Sequence, residues 1–289
     1  MKKLALSIIS VSLVIGSSYA IPMKFSSSIY GASLNYDSSN IRDNGYVSGI
    51  YGYLGIGWYH SLEFGLDYTH IKYKYNQPNL DQTDLTFVYT NYSLPKIKAK
   101  MGFHYIDSDD KLSDGGYTVI LGLERYEPYK WNAGIDLFYT KYGDYINLNG
   151  SKGLDVYQIT GKLGFSFGNY YRYGSFYLEL LPSYIGHSDN AGFGKSFSSL
   201  EGRLNYYISS FSFTLSGWTG ERSFFVDKGG FVVYNLQEKY KYGVGAEMGY
   251  SINRQLGIRA GINYQNLKER NNPNDVKIMT YVLNLGYSF

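Results

Sequence analysis

The last eleven residues leave few folds open to this chain. Met279, Tyr281, Leu283, Leu285, Tyr287 and Phe289 alternate with Thr280, Val282, Asn284, Gly286 and Ser288. A period of two places the first set on one face of a β-strand and the second on the other. One face is apolar and the other mostly small or polar. The alternation recurs upstream: Leu256, Ile258, Ala260, Ile262 and Tyr264 oppose Gly257, Arg259, Gly261 and Asn263, and Ile97, Ala99, Met101, Phe103 and Tyr105 oppose Lys98, Lys100, Gly102 and His104. Tyr240, Tyr242, Val244, Ala246 and Met248 oppose Lys239, Lys241, Gly243, Gly245 and Glu247 in the same way. The fold class is therefore all-β.

Two architectures hide such strands, a soluble sandwich and a closed barrel in a bilayer. The chain has 34 Tyr and 34 Gly but only 6 Pro, and a mean hydropathy of −0.28. It has no run of about 18 apolar residues, so helices cannot carry it across a membrane. A barrel can, because every backbone group pairs with a neighbouring strand and only alternate residues must be apolar. Glycine is concentrated on the polar face, which suits a curved and crowded lumen wall. A sandwich of this size would bring more proline turns and fewer tyrosines. The barrel is the reading these features favour.

The N-terminus adds an address. Lys2 and Lys3 precede an apolar run from Leu4 to Ile15, and Ser18-Tyr19-Ala20 supplies small residues at the positions a signal peptidase reads. This pattern predicts an export signal over 1–20, cleaved after Ala20, and a single barrel domain over 21–289. The chain has no cysteine, which removes disulfide and thiol chemistry. Without Lys2 and Lys3 the 27 basic residues become 25, against 24 acidic ones. That balance gives nucleic acid no purchase.

The connections fall into two alternating classes. His60-Ser61, Leu94-Pro95-Lys96, Glu127-Pro128-Tyr129, Ser209-Ser210 and Asn253-Arg254 mark short turns. Asp37 to Asn44, Asp107 to Gly115, Gly143 to Lys152, His187 to Ser196, Glu221 to Asn235 and Glu269 to Asp275 mark longer, more polar loops. Short inner turns and long outer loops predict a single antiparallel transmembrane barrel of about 14 strands, with 12 or 16 the neighbouring counts. Strand one is expected to begin at Lys24 or Phe25, leaving no N-terminal plug. Tyr36, Tyr73, Tyr105, Tyr117, Tyr139, Tyr184 and Tyr242 fall near the long loops, where one aromatic girdle is expected, and Trp58, Tyr126, Trp131, Tyr250 and Tyr287 near the short turns.

With its final strand ending on Phe289, the sequence resembles the outer-membrane β-barrels of Gram-negative bacteria, and its size resembles the small monomeric porins. The resemblance implies residence in the outer membrane, among lipid and lipopolysaccharide. It also implies that Tyr281, Leu283, Leu285, Tyr287 and Phe289 form the assembly signal read by the barrel-insertion machinery.

The functional candidates lie on the inner face. Parity puts Glu63, Asp67, Lys98, Lys100, Glu124, Asp136, Lys162, Glu179, Arg203, Lys239, Lys241, Glu247 and Arg259 inward. Of these, Asp67, Lys100, Asp136, Lys162, Glu179, Arg203, Glu247 and Arg259 fall near mid-strand, four of each sign. Such a wall predicts a passive, weakly selective diffusion pore for small hydrophilic solutes, since 14 strands lie toward the channel end of barrel sizes. The rival readings are a structural or surface-interaction barrel with a filled lumen, and a phospholipase-like hydrolase.

No chemistry-bearing motif is complete. Gly192-Phe193-Gly194-Lys195-Ser196 lacks the first glycine of a phosphate loop, since position 189 is Asp189. Asp107-Ser108-Asp109-Asp110-Lys111 breaks the calcium-loop pattern at Lys111 and Leu112. His187 and Ser188 are adjacent, so a strand would point them to opposite faces. The sequence therefore predicts no catalytic residue, no metal site and no cofactor. One loop stands apart: Glu221 to Asn235 carries Phe224-Phe225-Val226 and Phe231-Val232-Val233 around Gly229-Gly230. It is expected to form a hairpin turning at the glycines, extending the wall or folding over the mouth, and to gate the pore if it folds inward.

Overall fold

A computed structural model describes residues 22–147, 150–270 and 272–289. The expected signal segment, 1–20, lies outside the described residues. Eleven strands run in sequence: β1 (Met23–Asp37), β2 (Arg42–Ile56), β3 (His60–Tyr73), β4 (Leu80–Asn91), β5 (Ile97–Ser108), β6 (Tyr117–Glu127), β7 (Trp131–Asn147), β8 (Gly150–Asn169), β9 (Gly174–His187), β10 (Ser196–Ile208) and β11 (Phe211–Arg222). Two short strands follow, β12 (Val226–Asp227) and β13 (Val232–Val233), and then β14 (Glu238–Ser251), β15 (Leu256–Glu269) and β16 (Asp275–Ser288). All except β12 and β13 form one closed antiparallel barrel, 14 strands in which β1 pairs with β16.

The closing seam is in register over its whole length, from Ser26 opposite Ser288 to Asp37 opposite Lys277. Phe289 continues it: its N–H donates to Phe25 O (2.9 Å), and the two rings lie 5.3 Å apart. With no strand edge left, every barrel strand hydrogen-bonds on both sides, the condition for crossing a bilayer.

The outer surface completes the requirement. Ile29, Ile50, Leu66, Phe87, Met101, Leu121, Leu137, Ile159, Leu200, Leu215, Val244 and Leu283 all point outward and are exposed. They form a continuous apolar belt, far larger than the few hundred Å² a water-soluble monomer presents. Tyr105, Tyr184 and Tyr242 are exposed at the long-loop end, and Trp58, Trp131, Tyr250 and Tyr287 at the other. Tyr36 and Tyr73 depart from the expected girdle. Both rings lie beneath the buried Arg42 guanidinium, at 5.7 and 5.8 Å, on the inner face.

Two connections escaped the sequence reading, the outer one between β3 and β4 and the short one between β8 and β9. The period itself fails at the outer ends of several strands. The ladders shift between Arg42 and Gly45 on β2, between Lys141 and Asp144 on β7, between Thr219 and Arg222 on β11 and between Tyr240 and Tyr242 on β14. A bulge inserts one residue and reverses the facing beyond it. Glu238 and Tyr240 are consequently buried, at 1% and 5% exposure, whereas Lys239 lies partly exposed and pairs with the exposed Glu221 (2.7 Å). The inward placement expected for Lys239 is therefore corrected. Lys241 sits at the shift itself and pairs with Asp275 (2.7 Å).

Candidate functional site

The apolar stretches of residues 221–235 decide what fills the lumen. This loop neither extends the wall nor caps the mouth. It folds into the barrel. Phe224, Phe225 and Val226 are 0%, 2% and 4% exposed. Phe224 lies edge-on to Tyr142 (5.3 Å) and His187 (5.6 Å), and Phe225 stacks on Tyr234 (4.0 Å). Around them the outer ends of the strands turn apolar on the inside too: Ile106, Leu154, Val156, Ile185, Leu267 and Val276 are all 1% exposed or less. The alternation predicts an inner face that is mostly small or polar. Its outer end is instead an apolar core, because it packs against a loop and not against water.

Within this core β12 pairs with β13, Val226 opposite Val233 and Asp227 opposite Val232. The turn between them is the 3₁₀ segment Lys228–Gly230. Lys228, Gly229 and Gly230 all have positive φ, 47°, 71° and 111°, a region glycine enters at little cost. Gly230 is required for space as well, since a Cβ there would lie 2.1 Å from Ile120 Cδ1. The hairpin leaves the wall between β11 and β14 and crosses to the far side of the ring. There its tip meets β5 and β6, and Phe231 packs edge-on against Tyr51 of β2 (5.4 Å).

Polar contacts fix the hairpin along its path. The Gln158 side chain bonds Val226 twice, accepting from its N–H (2.8 Å) and donating to its carbonyl (2.7 Å). Lys100 Nζ donates to Gly229 O (3.3 Å), and Arg203 Nη2 donates to Asp227 Oδ1 (2.9 Å). Higher up, Asn235 Nδ2 donates to Gln82 Oε1 (2.7 Å), and His187 Nε2 donates to Ser223 O (3.0 Å). Each such bond contributes about 0.5–1.5 kcal/mol, more when one partner is charged.

Below the hairpin lies a cavity of about 390 Å³, bounded by the tip and by the inner faces of β3–β5 and β7–β11. Its charges are sorted by sector. On the β5–β8 side Lys100 and Lys162 both donate to one oxygen of Asp136, at 2.9 and 2.6 Å. Lys228 of the hairpin also lines the cavity. On the β9–β11 side Arg203 meets Glu201 (2.5 Å), Asp227 (2.9 Å) and Glu179 (3.8 Å), and Arg222 meets Glu201 (2.9 Å). Val88 of β4, Phe138 of β7 and Phe231 of the hairpin add an apolar stretch to the wall.

Five of the eight mid-strand charges, Lys100, Asp136, Lys162, Glu179 and Arg203, therefore line one cavity. The other three lie elsewhere. Asp67 is buried on β3 directly across from Asp84 of β4, and its Oδ1 has no hydrogen-bond partner among the described residues. Glu247 and Arg259 lie 3.8 Å apart on β14 and β15, side chains 41% and 62% exposed, toward the short-turn end. The sequence reading passed over Asp84, Glu201 and Arg222. Asp84 and Glu201 obey the same alternation as the residues that were picked, so parity was signal enough. Arg222 obeys it too, lying on the even-numbered inner row of β11 while Phe211, Phe213 and Leu215 face outward. Among the C-terminal residues, Tyr281, Leu283, Leu285, Tyr287 and Phe289 are all exposed on the outer face.

No protein-family model matches this sequence, and no curated protein matches it either. Solved structures do. A channel described as the CymD monoaromatic hydrocarbon channel superposes with a TM-score of 0.57 at 10% identity, over 93% of this chain and 88% of that one. A mutant of the TodX monoaromatic hydrocarbon channel gives 0.55 at 10% identity, over 93% and 91%. The NanC porin gives 0.50 at 9% identity, over 90% and 98%. At such identities the likeness is one of fold, and the chain has the closed barrel fold shared by these channels.

Proposed function

We propose that this protein is a passive diffusion pore of the bacterial outer membrane for small hydrophilic solutes, narrowed by the infolded hairpin. The observation that carries the reading is the charged cavity across the lumen, directly below β12 and β13. A barrel with a merely structural role has no need to keep six basic and five acidic side chains around an internal space, since buried charge is costly unless solvated or paired. The shared fold of the CymD, TodX and NanC channels supports the same reading. Discrimination between simple ions is expected to be weak, because the lining charges nearly balance.

The C-terminal strand is read as the segment handed to the insertion machinery, supported by the unbroken outward row from Tyr281 to Phe289. A catalytic role is not proposed. Ser188 Oγ accepts from the Asp155 N–H while the His187 ring is packed between Phe197 and Phe224, so the two face different surroundings. One observation favours a filled, structural barrel as the second reading: an apolar core of hairpin and wall side chains occupies the outer mouth. Liposome swelling separates the two. Proteoliposomes in iso-osmotic arabinose, glucose and sucrose should swell at rates that fall with sugar size. Rates equal to those of protein-free liposomes for all three sugars would rule the pore out.

A further inference from the structure

We infer that the cavity below the hairpin is a binding site for a small organic anion, a carboxylate carrying a short apolar body. The inference rests on the pore reading and names the solute class for which that pore has affinity. Two ammonium groups sharing one carboxylate oxygen are under-neutralised by one charge: Lys100 and Lys162 converge on a single oxygen of Asp136. Lys100 and Asp136 are 10% and 5% exposed, so water neutralises little of the excess. Lys228 lines the same cavity and adds a further positive charge, and Lys100 is held at the hairpin tip by donating to Gly229 O. The backbone holds Lys228 at a φ of 47°, which a lysine adopts only under constraint.

The opposite sector holds two arginines against three carboxylates, Glu179, Glu201 and Asp227. The cavity is therefore polarised, with its excess positive charge on the side of Lys100 and Lys162 and its excess negative charge across from it. A carboxylate placed between Lys162 and Lys228 would gain charge-assisted hydrogen bonds at a place where they are strong. Beside that place Phe138 and Phe231 offer apolar surface, and a hydrocarbon body lying there is removed from water. A cavity of about 390 Å³ has room for such a solute and not for a folded chain. Bulk ions gain only the charge contribution. An organic anion gains both, so weak discrimination between bulk ions and appreciable affinity for one solute class are compatible.

Pentanoate tests this, with pentanamide as its neutral isostere and acetate as the head group alone. Binding is read by saturation-transfer NMR on the folded barrel in deuterated detergent, and block is read as the fall in chloride current through single channels. Pentanoate should bind saturably and reduce the current, while pentanamide and acetate bind at least about tenfold more weakly. Lys162→Gln and Lys228→Gln should each weaken pentanoate by about tenfold; Lys228, on the turn, is the change the barrel tolerates best. Equal binding of pentanamide or acetate overturns the inference, as does pentanoate affinity unchanged in both variants, or no pentanoate binding. A silent channel that still binds pentanoate would instead overturn the pore and leave the site standing.

Discussion

Replacing Phe224 with alanine tests whether packing holds the hairpin in the lumen. The ring is fully buried, edge-on to Tyr142 and His187 and surrounded by the outer apolar core. Phe→Ala at such a site costs about 3–5 kcal/mol. That cost falls on the docked hairpin, because an undocked loop leaves position 224 in water with either side chain. The 14-stranded wall keeps its hydrogen bonds in both states, so the barrel itself should still fold. At the lower figure of about 3 kcal/mol, the ratio of docked to undocked hairpins falls by about 10². In planar bilayers this should appear as a marked rise in the time spent at a higher conductance level. Phe213→Ala on the outward face of β11 removes the same ring from a lipid-exposed site and serves as the control. Dwell times that stay at the wild-type distribution in Phe224→Ala, or that shift equally in Phe213→Ala, would refute the reasoning.

Three further outcomes are expected. Leu283→Arg places a charge on the lipid-facing row and should cost about 2–4 kcal/mol of folding into bilayers near the midplane, whereas Asn284→Arg on the inner face should be tolerated; equal titration midpoints would contradict the facing of β16. Asp67→Asn removes a buried carboxylate from opposite Asp84, where one of its oxygens has no partner. It should raise resistance to denaturant by about 1–3 kcal/mol, and a lowered midpoint would count against it. Arg42, buried against Glu238 and Glu269, should be costly to lose: Arg42→Ala should destabilise by about 3–5 kcal/mol, because two carboxylates are left uncompensated. An unchanged midpoint would mean that water reaches them.

The fold was legible because a barrel writes itself into the chain every two residues. Leu283 and Leu285 against Asn284 and Gly286 are enough to define a face. The alternation of short and long connections brings the strand number close, even though the connections after β3 and β8 carried too weak a turn signal to be picked out. What failed to read through has local physical causes. At the β11–β14 bulges one extra residue inverts the facing, so Tyr240 and Glu238 go inside and Lys239 does not. The hairpin was visible as an anomaly, six apolar residues in a loop, but its direction was not. That depends on Ile106, Val156, Ile185 and Leu267 meeting it at the outer ends of distant strands, and no single segment carries that information. The site was half legible for a similar reason. Lys100, Asp136 and Lys162 each fall on the inner parity, but their meeting at one oxygen depends on register between β5, β7 and β8. The sorting of charge into sectors follows from strand order around the ring, which a count of signs along the sequence cannot show.

The most direct test of a hairpin-narrowed pore is single-channel recording of the purified chain beside a variant in which 224–234 is replaced by a short Gly-Ser linker. The wild type should give steady, weakly ion-selective steps with fluctuations, and the variant larger and quieter ones. Silence from both in bilayers into which folded protein has been shown to insert would contradict the pore. Equal conductance from both would contradict the narrowing role of the hairpin.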